Sequence, residues 1–181
     1  TWRELASATL RHLEYTEVLT RMRGRPDPLA PVADAGREDR LVTYRAKRDP
    51  AKTTEPVPSE PPASSSGRSF VIQEHHARRL HYDFRLEHHG VLVSWALPKG
   101  VPTSSGKNHL AVQTEDHPKS YGSFEGTIPR GEYGAGTVSI WDAGTYDLEK
   151  WRDGKEVIVT LHGRPDGGLG GPRRLALLHT Q

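Results

Sequence analysis

The sequence predicts a mostly β chain: a small antiparallel β-barrel with a peripheral helix and an extended N-terminal arm. Three observations point there. Short apolar runs with period-two alternation recur from Arg68 to the C-terminal end, glycine-containing turns separate them, and helical spacing is confined to the first 23 residues.

Taken in order, Trp2, Leu5, Leu10, Leu13, Val18, Leu19 and Met22 recur at helical spacing, and Thr1 and Glu4 have the separation of a capping box. The run GRPDPLAPVADAG then breaks the period at Gly24, Pro26, Pro28 and Pro31, so residues 1–39 read as a helical and irregular N-terminal segment. Residues 40–67 read as a basic, Pro/Ser-rich linker arm. RLVTYRAKRDPAK carries five basic residues against one acid, and TTEPVPSEPPASSSG is nearly all Pro, Ser, Thr and Glu. Such an arm is either a solvated tether or a strip lying along a polyanion.

Residues 68–181 read as the β-domain. In RLHYDFRLE, Tyr82, Phe84 and Leu86 fall on one side of a strand, with His81, Asp83 and Arg85 on the other. HHG at 88–90 reads as a turn and VLVSWAL as the returning hairpin partner. HLAVQTEDHP reads as a further strand with Leu110 and Val112 opposite Gln113, Glu115 and His117; TVSIW, EVIVTL and RLALL supply three more. If the sheet curls, the two polar faces can line one cavity.

Composition narrows the function classes. The chain has no cysteine, which excludes disulfides, thiolate catalysis and Cys-ligated zinc. Its net charge of +2 permits a nucleic-acid partner without requiring one. No apolar run approaches the roughly 20 residues of a membrane span, and no signal peptide is evident, so a soluble cytoplasmic protein is expected. The first residue is Thr1 rather than Met, which fits a piece of a longer chain.

His75, His81 and Asp83 are the candidate metal ligands. Imidazole nitrogen with carboxylate oxygen suits manganese, iron or zinc, and the absence of thiolate favours the harder ions. Arg85, two positions beyond Asp83, either pairs with that carboxylate or grips a phosphate oxygen beside the metal. Glu115 and His117 repeat the spacing on a second segment, with His117 a candidate general acid or further ligand and Glu115 a group that orients its neighbours. Lys99, in LPKG at a strand end, is a candidate phosphate-binding ammonium. FEGTIPRGEYGAGT lacks the features of a P-loop and reads as a tight-turning loop at the cavity rim.

The blocks FVIQEHHARRLHYDFRLEHHGVLVSWALPKG and LAVQTEDHPKSYGSFEGTIPRGEYGAGTVSIWD resemble the 3′-phosphoesterase domain of bacterial DNA ligase D, the multidomain enzyme of non-homologous end joining. The resemblance covers about residues 68–181 and continues upstream through LVTYRAKRDPAKTTEP. It implies a small β-barrel with a manganese-dependent site that removes 3′-terminal ribonucleosides from DNA by phosphodiester cleavage, then the remaining 3′-phosphate, leaving a 3′-hydroxyl. It implies His75, His81 and Asp83 as Mn²⁺ ligands, Arg85 and His117 on the scissile phosphate, and Glu115 and Tyr121 as helpers. Lys99 matches a lysine implicated in phosphate handling. One departure stands at His109, directly before LAV, where the family usually has an arginine; His109 is the candidate phosphate-binding group there when protonated, and the missing fixed charge is expected to weaken the phosphomonoesterase step first. Residues 1–39 resemble the tail of a primase-type polymerase domain. The implied partners are primer-template DNA 3′ ends, the polymerase and ligase domains of ligase D, and Ku, with no membrane.

Two other readings compete. A non-haem Fe(II) oxygenase would use His81 and Asp83 with His162 as third ligand and Arg164 as a co-substrate anchor. A non-catalytic DNA-binding module would use the basic arm and barrel alone.

Overall fold

The structure is a computed structural model that describes residues 38–180. The helix expected over residues 1–23 and the polymerase-like reading of the N-terminal segment lie outside the described residues, apart from residues 38 and 39.

A short helix α1 (Val42–Ala46) precedes nine strands: β1 (Ser69–His76), β2 (Leu80–His88), β3 (Val91–Leu97), β4 (Val112–Gln113), β5 (His117–Pro118), β6 (Gly126–Ile128), β7 (Gly136–Arg152), β8 (Glu156–His162) and β9 (Arg173–Leu178). A 3₁₀ turn occupies Lys119–Ser123. The strands form one antiparallel sheet in the order β4-β3-β2-β1-β7-β8-β9, with β5 also on β3 and β6 on β7. The predicted small antiparallel barrel is thus present as a curled half-barrel. Two irregularities help the long β7 bend: its register slips against β1 between Ile72 and Gln73, and against β8 between Leu148 and Lys150.

The β2–β3 hairpin shows how local sequence sets register. His88 pairs with Val91, so the loop is His89–Gly90 alone, and both residues have positive φ (51° and 85°). That is the condition of a primed two-residue turn, which glycine meets without strain.

The hairpin register divides the side chains into two faces. Phe70, Ile72, Phe84, Leu86, Val93 and Trp95 alternate onto one face, continued by Tyr146, Val159 and Leu161, and all are buried. The other face carries Gln73, His75, Asp83, Arg85 and Ser94, also buried. The fold buries the second face by covering it with chain from outside the strands.

Residues 40–67, read from sequence as a linker arm, supply part of that cover. Leu41 and Tyr44 are buried in the core cluster, and the Tyr44 hydroxyl donates to the Pro56 carbonyl (2.8 Å). The strap is fastened further along at Glu87, whose carboxylate takes hydrogen bonds from Ser65 (2.6 Å) and Ser69 and pairs with Lys119 (2.6 Å). Burial alone would raise the Glu87 carboxyl; these donors outweigh it and hold it at about 2.

The strand expected through HLAVQTEDHP is broken. Only Val112–Gln113 and His117–Pro118 pair with β3, and Leu110 and Val112 are exposed rather than packed. Gln113 faces Trp95 and His117 faces Leu92, so this edge holds one residue more than its partner between the two pairings. The bulge interrupts the alternation assumed from the sequence. Asp116 leaves the cavity side altogether and pairs with Arg40 (2.7 Å).

Candidate metal centre and phosphate cavity

His75 and His81 are direct cross-strand partners on β1 and β2, with ring centroids 4.6 Å apart, and Asp83 lies one same-face step along β2. Cross-strand neighbours on one face are close enough to share a ligand. One donor atom from each of the three residues lies within 4.8 Å of the others. His75 comes from β1, the strand preceding the one that carries His81 and Asp83.

The hydrogen bonds fix the imidazole tautomers. His75 Nε2 lies 2.9 Å from the Gly134 carbonyl, and His81 Nδ1 lies 3.1 Å from the Arg79 carbonyl. A carbonyl only accepts, so those nitrogens carry the protons. The lone pairs of His75 Nδ1 and His81 Nε2 are left beside Asp83, at 3.4 Å and 3.6 Å from its oxygens. Two nitrogen lone pairs converging on one carboxylate is an arrangement that a cation completes, with each ring held from behind by a backbone acceptor. The residues present therefore fit a divalent ion. Burial would raise the Asp83 carboxyl, but the Arg85 guanidinium beside it holds it below the usual range.

Arg85 is almost fully buried and makes the ion pair with Asp83 that was one of its two sequence readings. One nitrogen pairs with Asp83 Oδ2 (3.2 Å), Nε donates to Gln73 Oε1 (2.9 Å), and the guanidinium sits 4.7 Å over the Tyr121 ring. Gln73, fully buried, uses its amide nitrogen to hold the carbonyls of Tyr121 (3.1 Å) and Phe124 (2.9 Å). It therefore ties the 3₁₀ turn to the arginine. A lone glutamine in a strand gives no motif, and the sequence did not reveal it.

His117 closes the far side. Its Nδ1 donates to the Glu115 carbonyl (2.8 Å), leaving Nε2 as an acceptor 3.4 Å from Arg48. Burial, with Arg85 and Arg48 nearby, pushes its pKa well down, which favours the neutral imidazole. Tyr121 packs edge-on against it, and burial raises the Tyr121 phenol far from neutral pH. Tyr121 therefore acts as a neutral hydroxyl and a ring.

Arg48 is the largest omission of the sequence reading. Its side chain is 3% exposed, pairs with Glu55 (3.0 Å) and Glu115 (3.1 Å), and stacks 3.7 Å over the Tyr44 ring. Burial would raise the Glu115 carboxyl, but Lys47 and Arg48 lower it. Basic composition was the only signal in that segment, and it could not separate Arg48 from the basic residues around it.

These groups line a cavity of about 670 Å³ that includes His75, His81, Asp83, Arg85, His117 and Tyr121, with the 130–135 loop at its rim as the glycine-rich sequence suggested. Lys99 and His109 are not among the lining residues; Lys99 is exposed, and His109 Nδ1 instead meets the Gly100 carbonyl (2.8 Å). His162, the oxygenase reading's third ligand, sits at the end of β8 paired with Asp147 (2.7 Å) and does not join the His75–His81–Asp83 group.

Fold and site together define a class: a curled antiparallel β-sheet domain with a histidine–carboxylate pocket and a buried arginine beside it. A family model described as the DNA Ligase D 3′-phosphoesterase domain matches residues 73–166, and the chain belongs to that family. It is 56% identical over 184 residues to the multifunctional non-homologous end joining protein LigD of Mycobacterium bovis, covering 99% of this chain and 24% of that protein. Against the LigD of Mycolicibacterium smegmatis it is 52% identical over 192 residues, again across 24% of the relative. The match to the LigD of Pseudomonas aeruginosa is 49% over 118 residues, covering 64% of this chain and 14% of that protein. The chain thus spans about a quarter of the length of the mycobacterial relatives.

Proposed function

We propose that this chain is a Mn²⁺-dependent phosphoesterase that heals DNA 3′ ends in bacterial end joining. It removes a 3′-terminal ribonucleoside and then the 3′-phosphate. The observation that carries the reading is the convergence of two imidazole lone pairs and a carboxylate beside Arg85 and His117, in one cavity. A bare binding module has no use for that convergence.

His75 Nδ1, His81 Nε2 and Asp83 would hold the ion. A divalent cation there supplies Lewis acidity toward the phosphoryl oxygens. Arg85 and Arg48 present guanidinium N–H groups to the charge that grows on those oxygens. In the first step water adds to phosphorus and the P–O5′ bond breaks. His117 begins neutral, takes a proton from solvent as the phosphate anion sits against it, and passes that proton to O5′, while the proton lost by the attacking water returns to solvent. Repeating the attack on the resulting monoester breaks P–O3′ and leaves a 3′-hydroxyl and inorganic phosphate. The working context is the bacterial cytoplasm, with the polymerase and ligase domains of a longer ligase D and with Ku at the break.

The test is a duplex primer ending in a ribonucleotide or a 3′-phosphate, incubated with Mn²⁺ or with EDTA. The expected products are a 3′-phosphate followed by a 3′-hydroxyl with Mn²⁺, and no reaction with EDTA. Survival of both ends in Mn²⁺ overturns the assignment.

A further inference from the structure

The cavity has two unlike ends. At the metal end, exposed Arg78 and Arg130 line the rim, with Arg79 on the same turn as Arg78. None of these three arginines has an ion-pair partner among the described residues. At the other end, past Thr114, Glu115 and Tyr133, the cavity adjoins a groove of about 580 Å³. There the charges cancel: Arg40 pairs with Asp116 (2.7 Å) and Lys47 with Glu115 (3.0 Å). Thr43, Gln113 and Thr114 add neutral hydrogen-bonding groups.

Tyr133 stands on the boundary and lines both spaces. The residue is 47% exposed at the cavity mouth, and Arg48 lies 5.4 Å from its ring centroid. Lys47 holds it, donating to the hydroxyl (3.3 Å) while sitting 4.6 Å from the ring centroid.

Cutting a terminal ribonucleoside from DNA separates two equally unlike fragments. One is a polyanionic strand, which unpaired guanidinium groups attract. The other is an uncharged nucleoside, which gains nothing from fixed charge and favours an aromatic face with neutral polar groups around it. We propose that the groove beyond Tyr133 is the subsite for the leaving nucleoside, with Tyr133 as its stacking platform and Thr43 and Gln113 at its sugar or base, while the retained strand lies across Arg78 and Arg130. This rests on the phosphoesterase reading. When the P–O5′ bond breaks and O5′ takes its proton, the released nucleoside leaves by the neutral end.

The two substrates separate the idea from its foundation, because a 3′-phosphate end carries no leaving nucleoside. Thr43→Phe, which fills the groove from exposed α1, and Gln113→Ala, which empties one wall, are each assayed with Mn²⁺ on matched primers. The ratio of ribonucleoside removal to 3′-phosphate removal is expected to fall about tenfold with either variant, the range of a lost base contact. Arg78→Glu combined with Arg130→Glu is expected to slow both reactions and to flatten their salt dependence. An unchanged ratio in both groove variants overturns the subsite. If the unaltered chain processes neither end, the phosphoesterase reading falls and takes the subsite with it.

Discussion

The two faces of β1, β2 and β3 are buried to a similar degree and made of opposite materials. On one, Phe84 packs with Ile72, Leu86 and Trp95; on the other, one residue away, Asp83 and Arg85 are held by Gln73, His75 and His81. A hydrocarbon face is stabilised wherever water is excluded, and it tolerates repacking. A polar face is buried at a cost unless each group meets a partner, so its geometry is specified group by group. The difference teaches that stability and chemistry are divided by strand pleat rather than by region of the chain.

The comparison breaks most sharply at adjacent residues. Phe84→Ala is expected to cost about 3–5 kcal/mol in urea unfolding, with catalysis by the remaining folded protein intact. Asp83→Asn keeps the shape and is expected to abolish Mn²⁺ binding by calorimetry and reduce turnover to background; because it leaves the buried Arg85 without its counter-charge, it also lowers the melting temperature. Intact Mn²⁺ binding in Asp83→Asn, or its loss in folded Phe84→Ala, would erase the distinction between the faces.

A smaller effect is expected from pH on the apolar side. His88 stacks on Trp151 (3.7 Å between centroids), and its Nδ1 is buried with no hydrogen-bond partner among the described residues. Burial, with His89, Arg68 and Arg40, lowers its pKa from 6.5 to about 4. The unfolded chain therefore binds the proton first. Stability is complete above about pH 6.5 and falls by up to about 3 kcal/mol as pH drops toward 4. His88→Phe is expected to flatten unfolding free energy across that window. Any loss tied to Glu87 comes at lower pH, because its folded value is near 2. A slope that persists in His88→Phe would place the acid sensitivity elsewhere.

The smallest expected effect tests how far the polar face is specified. Gln73→Leu removes the brace on Arg85 without touching substrate, and kcat/KM is expected to fall about 10- to 100-fold, the scale of lost outer contacts. If kcat/KM is unchanged, Arg85 is positioned by Asp83 and Tyr121 alone.

Much of this face was legible in the sequence. His81, Asp83 and Arg85 alternate with Tyr82, Phe84 and Leu86, and period two needs no tertiary information. What the sequence did not show had physical causes. HLAVQTEDHP alternates too, but its bulge and the exposure of Leu110 and Val112 make it two fragments. Lys99 and His109 matched by position along the chain, which does not determine whether a side chain reaches the cavity. Arg48 and Glu55 lie in a stretch with no period at all, and a contact such as Arg48 with Glu115, 67 residues away, is set only when the chain folds back.

The strap has a practical meaning for where this domain begins. A fragment cut at the first strand, near residue 68, would retain every strand and all three proposed ligands of the ion. It would lose Arg48, Glu55 and Tyr44, and with them one wall of the cavity. The boundary suggested by sheet topology and the boundary of the working unit are therefore different places, more than 20 residues apart along the chain.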